Sequence, residues 1–470
     1  MFFAAGIGFL IGVGLATSLL TGFEPLLLWP LLVALAAVFL TRSYSSKVAV
    51  VGIAGVLVGL NVAAWQLHPL PTFTNSQVQV AGVVQSEGVV GSSRQLVVSG
   101  LKLDGRPMSG KLSVRERLYP SFRAGDALEF SGKITRPDPL PSGWRAKGIV
   151  GQMNYPDAKW VAFHRSWAQP ISRLHNWIKE QIQTNLPEPE AGLLNGFLLG
   201  DKADISPELN NNLNRTGTTH LIAVSGYNVA IVVAFAWLLR GWMPYRLLIG
   251  SSIGLVTGFV LLVGPSASVI RAALMGSIAL LAKGFGRPAA AKRLVILVAV
   301  IMVAWDPWTL VDDLGFQLSF AATAGIIWLE PLFTPILARA MPTILAGVIG
   351  TTFAAQVATE PILIDNFGRL SLISIVTNTL VLPLVPLTML MGAIELAAGF
   401  VFVPFGQAIA WLTWPLLHLI VLMIEWGGRL PGAAIEQLHA PAWMLPLMYA
   451  VMIGVLVSVT QLKRRLERAK

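Results

Sequence analysis

Apolar runs fill most of the chain, and one long polar stretch interrupts them. The first run, residues 1–20, carries no charge, a second covers about 26–40 and a third about 48–66. Runs of this kind approach the roughly 20 residues that an α-helix needs to cross a bilayer. The first lacks the basic start of a signal peptide and reads as a retained helix. From His68 the pattern becomes alternation of apolar and polar positions, the period of half-buried strands. It predicts strands at Val78–Val84, Gln95–Leu103, Gly110–Arg117, Ala127–Ile134 and Ile149–Tyr155. Turn residues separate them: Gly91-Ser92-Ser93, Asp104-Gly105, Gly125-Asp126 and the prolines at 137, 139 and 141.

Five short strands in about 90 residues suit a small β-barrel of the OB type, and a small β-sandwich fits nearly as well. Trp167, Ile171, Leu174, Ile178 and Ile182 then recur at helical spacing with Arg173, Lys179 and Glu180 between them. That helix is too polar to span and is expected along the membrane surface. Pro187 and Pro189 end it; Ser206-Pro207 reads as an N-cap and first helical residue, and Gly217 as a stop. From Thr218 nine more apolar runs follow, at about 219–239, 247–263, 268–282, 294–305, 314–330, 342–364, 370–395, 406–426 and 441–462. The expected fold is thus a polytopic α-helical membrane protein of about twelve transmembrane helices with an inserted, OB-like extracytoplasmic β domain. Its expected parts are three N-terminal helices (1–67), the β domain (68–165), interfacial helices (166–218), a helical membrane domain (219–462) and a basic tail (463–470).

Composition agrees: 54% of residues are hydrophobic and 12% charged, about half the usual charged share, which excludes an ordinary soluble enzyme. Cys is absent, which removes disulfides and thiolate chemistry together. The net charge of +10 reads first as orientation, because cytoplasmic loops collect Lys and Arg. Threading twelve spans from a cytoplasmic N-terminus puts Arg42, Lys47, Arg240, Arg246, the cluster Lys283 to Arg293, Arg339 and the tail on one side. The opposite loops and span ends hold only Arg271, Arg369 and Arg429, which places the β domain outside the cytoplasm.

No P-loop pattern occurs, and the six His are too scattered for a local metal motif. No metal, no cofactor and no catalytic residue is therefore expected. The distinctive stretches are polar residues in apolar surroundings. His220 through Ser225-Gly226-Tyr227-Asn228 opens one span; Arg271 lies near the end of another; Asp313, Gln317 and Ser319 follow the acidic loop Asp306–Asp312; Thr352, Gln356 and Glu360 repeat every fourth residue. Such groups line a cavity or pathway, or else bond across packed helices. Arg271 reads equally as a snorkelling anchor. A Ser225–His220 dyad is disfavoured, since five residues on a helix differ by about 140° in rotation.

The stretch around His220 resembles the "H-L-hydrophobic-A-x-S-G" signature of the ComEC family of competence proteins. Ile270-Arg271-Ala272-Ala273-Leu274-Met275, Asp306-Pro307, Gly315-Phe316-Gln317-Leu318-Ser319-Phe320 and Leu198-Leu199-Gly200-Asp201 resemble further signatures of that family. The resemblance implies an inner-membrane channel that carries single-stranded DNA into the cytoplasm of a bacterium during natural transformation. It implies contact with membrane lipid and with other competence proteins (a DNA receptor, a cytoplasmic ATPase, a separate nuclease), and it allows a homo-oligomer. Asn228 stands where many members carry His. The residues end at Lys470 without the H-x-H-x-D-H motif of a metallo-β-lactamase-like domain, so that nuclease-like part is expected to be lost or supplied by another chain.

In the β domain Tyr119, Phe122, Trp144 and Tyr155 are candidates for stacking on bases. Buried carboxylates such as Glu360 and Glu395 would repel phosphates unless they pair, take up protons or face away. The alternative function is a polytopic transporter of small solutes, which polar stripes and broken helices serve equally well.

Overall fold

A computed structural model describes residues 2–19, 77–201, 205–284 and 291–438, apart from 91–92, 118–121, 123–124, 138–143, 146, 164–168, 223, 225 and 265, together with scattered positions within 51–59 and 441–458. The expected spans at 26–40 and 48–66, the tail after Leu462, Tyr119 and Ser225 lie wholly or largely outside the described residues. The chain forms two compact units. One comprises Met1–Asn176 with Ile296–Phe316, the other Trp177–Val295 with Gln317–Lys470.

The first unit is organised by strands β1 (Gln77–Val90), β2 (Ser93–Leu103), β3 (Arg106–Pro107), β4 (Lys111–Glu116), β5 (Asp126–Thr135), β6 (Ile149–Asn154) and β7 (Asp157–Phe163). The pairing order β1-β2-β4-β6-β5 closes on itself through β1 with β5, so five strands make a barrel. β4 and β6 pair in parallel and the other contacts are antiparallel. Closure decides between the two architectures expected for this segment: a sandwich would leave β1 and β5 in separate sheets. Inward positions alternate as the pattern predicts, and Val80, Leu96, Val98, Leu112, Val114, Leu128, Phe130 and Met153 are buried together. The Asp104-Gly105 turn joins β2 to β3, and both residues have positive φ (48° and 82°), as a two-residue hairpin turn requires.

β7 is an element the pattern did not predict. β6 and β7 lie along β5 in the same direction, with Met153 opposite Ile134 and Asp157 opposite Ser131. They form one long strand interrupted at Tyr155-Pro156, where Tyr155 takes φ 50°. Trp160 and Val161 are exposed on β7, which hides the alternation.

The same unit contains α1 (Phe2–Leu19). A later loop bears a short helix at Trp308–Asp312, and the barrel is fastened to it. The Arg145 amide donates to Asp312 Oδ2 at 2.9 Å, and the Arg145 guanidinium lies 4.6 Å from the Trp308 ring centroid. Asp306 Oδ1 accepts from the Trp308 amide, and burial pushes the Asp306 carboxyl above its ordinary pKa.

In chain order the remaining helices are α2 (Gln169–Asn185), α3 (Glu190–Leu199), α4 (Pro207–Arg215), α5 (Gly226–Leu238), α6 (Tyr245–Val263), α7 (Ala267–Gly284) and α8 (Ala291–Trp305). The Trp308–Asp312 helix is α9. Then come α10 (Leu314–Trp328), α11 (Glu330–Leu337), α12 (Thr343–Phe367), α13 (Ser374–Val381), α14 (Val385–Val401) and α15 (Val403–Arg429). Among the described residues, α6, α12 and α15 are long and apolar enough to cross a membrane. The count rises to five if the bent pairs α10/α11 (52°) and α13/α14 (43°) are each one span. The α4 signals hold: Ser206 Oγ accepts from the Leu209 amide, and Gly217 has φ 66°.

The second unit centres on α3, which is buried on nearly every side. Leu193, Leu194 and Phe197 pack with Val385 and Met389 of α14 and with Leu417, Ile420 and Ile424 of α15. The amphipathic α2 gives its apolar side to the same core, where Ile182 is fully covered by protein. Two short strands, Leu370–Ser371 (β8) and Ala434–Ile435 (β9), pair after α12 and α15.

Candidate functional site

Three stretches far apart in sequence meet inside the second unit. α5 begins at Gly226, α7 carries Arg271, and α10 carries Ser319, Phe320 and Thr323. The Arg271 side chain is almost fully buried. Its Nη1 donates to Thr323 Oγ1 at 2.7 Å and approaches Met275 Sδ at 3.6 Å. The Thr323 hydroxyl in turn donates to the Ser319 carbonyl at 2.8 Å. The guanidinium stands 5.7 Å from the Phe320 ring centroid, within reach of a cation–π contact. Among the described residues no carboxylate pairs with Arg271, and its Nε is buried without an acceptor. Arg271 is therefore held in place by neutral groups, with no carboxylate beside it among the described residues. That arrangement does not fit a snorkelling anchor, whose head group would reach water.

Gly226 is the floor of this site. A methyl group there would stand 2.9 Å from Arg271 Nη2 and 3.4 Å from Ala272 Cβ. Gly226 does not have a positive φ, so space and not backbone freedom calls for glycine. Thr323 escaped the sequence reading. Its signal was its place four residues after Ser319, on the same face of α10.

The other predicted residues have different placements. Asn228 is buried and its Nδ2 donates to the Phe197 carbonyl at 2.9 Å, tying α5 to the end of α3. His220 is exposed, with Nδ1 3.1 Å from the Gly217 carbonyl. Asp313 Oδ1 accepts from the Phe316 amide at 3.0 Å, so it caps α10. Gln317 lies one turn further along α10. Gln356 donates to the Ser371 carbonyl at 3.1 Å and interacts with Glu360 on the same face of α12. Asp201 of the early motif pairs with Lys179 at 2.8 Å.

Of the barrel aromatics, Phe122 and Trp144 are core residues, 6% and 8% exposed, and neither offers a free ring face. Phe122 packs into the barrel core, and the apolar area of both rings is worth more buried than open to solvent. Tyr155 is 54% exposed, a bulky residue in the left-handed region at the β6–β7 break. Its amide donates to the Arg115 carbonyl at 2.7 Å, which places the exposed Arg115 beside it. Trp160, on the adjoining β7, is 58% exposed with Nε1 bonded to Asp126.

The family model described as "Competence protein" matches residues 197–462. The chain is similar to "ComE operon protein 3" of Bacillus subtilis (strain 168), 28% identical over 250 residues, 52% of this chain and 30% of that protein. It is similar to "Competence protein ComA" of Neisseria gonorrhoeae, 25% identical over 423 residues, 83% of this chain and 55% of that protein. An uncharacterized protein of Escherichia coli (strain K12), YcaI, is 24% identical over 293 residues, 59% of this chain and 38% of that one. The chain thus spans between about a third and about half the length of the curated relatives it matches. No solved structure matches significantly.

Proposed function

Since the chain belongs to the ComEC family of competence proteins, we propose that it is the inner-membrane channel that admits single-stranded DNA to the cytoplasm in natural transformation. The observation that carries this reading is Arg271, a buried guanidinium held by neutral groups where three family motifs converge. A fixed positive charge without a carboxylate partner is what a passing phosphate backbone requires. The neighbouring Phe320 ring and Thr323 hydroxyl keep the cation in place without neutralising it.

In this proposal residues 1–67 form three helices, 68–165 lie outside the cytoplasm, 166–218 are interfacial helices, 219–462 complete twelve spans and 463–470 lie inside. The barrel receives the strand first, with the exposed rings of Tyr155, beside Arg115, and of Trp160 as stacking faces. Its binding to single strands weakens as salt rises, because phosphate contacts release counterions. A DNA receptor, a cytoplasmic ATPase and a separate nuclease act with it, and the chain itself performs no hydrolysis.

The test is complementation of a deletion strain, with DNA in the periplasm and in the cytoplasm scored separately. Arg271→Gln is expected to lower cytoplasmic DNA by about tenfold or more, the scale of a lost charge-assisted contact, with surface capture and protein level unchanged. Arg271→Lys is expected to fall between. Normal uptake by a stable Arg271→Gln protein would take Arg271 off the path. The bent pairs α10/α11 and α13/α14 favour a second reading, a transporter of small solutes, because broken helices serve such sites. Solute-dependent proton flux in vesicles without DNA would support that reading instead.

A further inference from the structure

We propose that Glu395 and Asn185 form a proton-binding site inside the second unit, with the proton carried on Glu395 Oε2 and donated to Asn185 Oδ1. This goes beyond the channel reading and does not depend on what crosses the membrane. Glu395, on α14, is fully buried. Asn185, at the end of α2, donates from Nδ2 to Glu395 Oε1 at 3.2 Å. That bond sets an amide beside a carboxyl group. The two remaining oxygens, Glu395 Oε2 and Asn185 Oδ1, are both buried, and no protein group among the described residues donates to either.

Donor and acceptor counting then points one way. An ionised carboxylate is an acceptor only, so the pair would hold two buried oxygens that no hydrogen serves. Each such orphan carries its desolvation penalty without the return of a hydrogen bond. A neutral carboxylic acid supplies the missing hydrogen and closes the pair with two parallel bonds. Exchanging the amide's oxygen and nitrogen does not help, because it gives up the bond to Oε1 and still leaves one carboxylate oxygen and the amide oxygen without a hydrogen.

Among the described residues the surroundings supply no other neutraliser. α14 and α15 cross with their backbones in contact: a Cβ on Gly406 would lie 2.8 Å from Gly399 Cα and 3.2 Å from the Glu395 carbonyl. Leu194 and Leu198 of α3 cover Gly392, one turn before Glu395. Glu425 and Arg429 of α15 are bonded to each other, and Arg173 of α2 is exposed. Lys179 of α2 is bound to Asp201, Glu180 of α2 is exposed, and Glu190 of α3 is bonded to His418 of α15 at 2.7 Å. None pairs with Glu395. A metal cation would need several more oxygen ligands than the two on offer. The bound proton therefore fastens α2 to α14. Its departure leaves a charge facing an amide oxygen and loosens that joint.

The test is infrared spectroscopy of the purified full chain in lipid vesicles at neutral pH, comparing wild type with Glu395→Gln, Asn185→Leu and Glu360→Gln. The wild type is expected to show the carbonyl stretch of an un-ionised carboxyl group. Glu395→Gln should remove one carboxyl's share of that band while keeping both hydrogen bonds, so it inserts like the wild type. Asn185→Leu should move that share to higher frequency, and Glu360→Gln should leave it in place. If Glu395→Gln removes carboxylate absorption instead, the group is ionised and the proposal fails. A band that appears or vanishes when sodium replaces choline would make a metal cation the occupant and overturn it as well. Should Asn185→Leu not accumulate, the Glu395→Gln difference alone decides.

Discussion

A methyl group on Gly226 would press on the end of Arg271, not on backbone. The guanidinium is the movable partner, but Thr323 restrains it. Gly226→Ala is therefore expected to leave the protein in the membrane and to lower DNA arrival in the cytoplasm severalfold, whereas Gly226→Leu should abolish it. Normal transport by both variants would separate Gly226 from the path. Glu116 offers a residue-scale test in the barrel. It is buried, and burial raises its carboxyl pKa against the smaller, opposite pull of the Arg117 amide. The folded barrel thus holds that proton more tightly than the unfolded chain does. Its contribution is complete below the ordinary carboxylate range and is lost as pH rises through the raised value. Glu116→Gln should flatten that decline, measured as the urea midpoint for limited proteolysis of the barrel in the full chain at each pH. Residues of local function were legible in the sequence, such as Ser206 as a cap and Gly217 as a stop, because their partners lie within a turn. Asn228 was legible as a polar group that bonds across packed helices, but its partner was not, since the carbonyl it serves is on Phe197, in another helix.

At the scale of elements, α10 starts on a cap. Asp313→Ala should cost about 1 kcal/mol, and Asp313→Asn much less, because either oxygen accepts from the Phe316 amide. Thermal midpoints of the purified chain in detergent check both. Equal losses would mean that the negative charge, not the acceptor, is what α10 uses. The five expected strands agree with the observed ones to within a few residues, because one face of each is buried and the other wet. β1 alone runs well past its expected end, to Val90. β7 and α3 defeated the same method for opposite reasons. β7 exposes successive residues, Trp160 and Val161, so it shows no alternation. α3 is buried all round, so it shows no polar face to mark its period.

For the whole molecule, topology is open to direct test. Cys introduced at Ser92 and at Ala469 in this Cys-free chain should label from opposite sides of the membrane. Labelling of both from one side would reject the twelve-span threading. The barrel's pairing carries a further consequence. β1 and β7 both run antiparallel to β5, so Gln77 lies level with Lys133 while Phe163 lies level with Asp126. The points where the chain enters and leaves the barrel are therefore roughly 20 Å apart along a strand, at about 3.3 Å per residue. Many inserted domains have adjacent ends and can be lifted out or exchanged like a cassette. This one resembles a strut, seized at two separate points. A shortened chain made by removing residues 77–163 would need a spacer of about six or seven extended residues merely to restore the original distance. Any graft of a foreign domain would have to match that span before it could match a function.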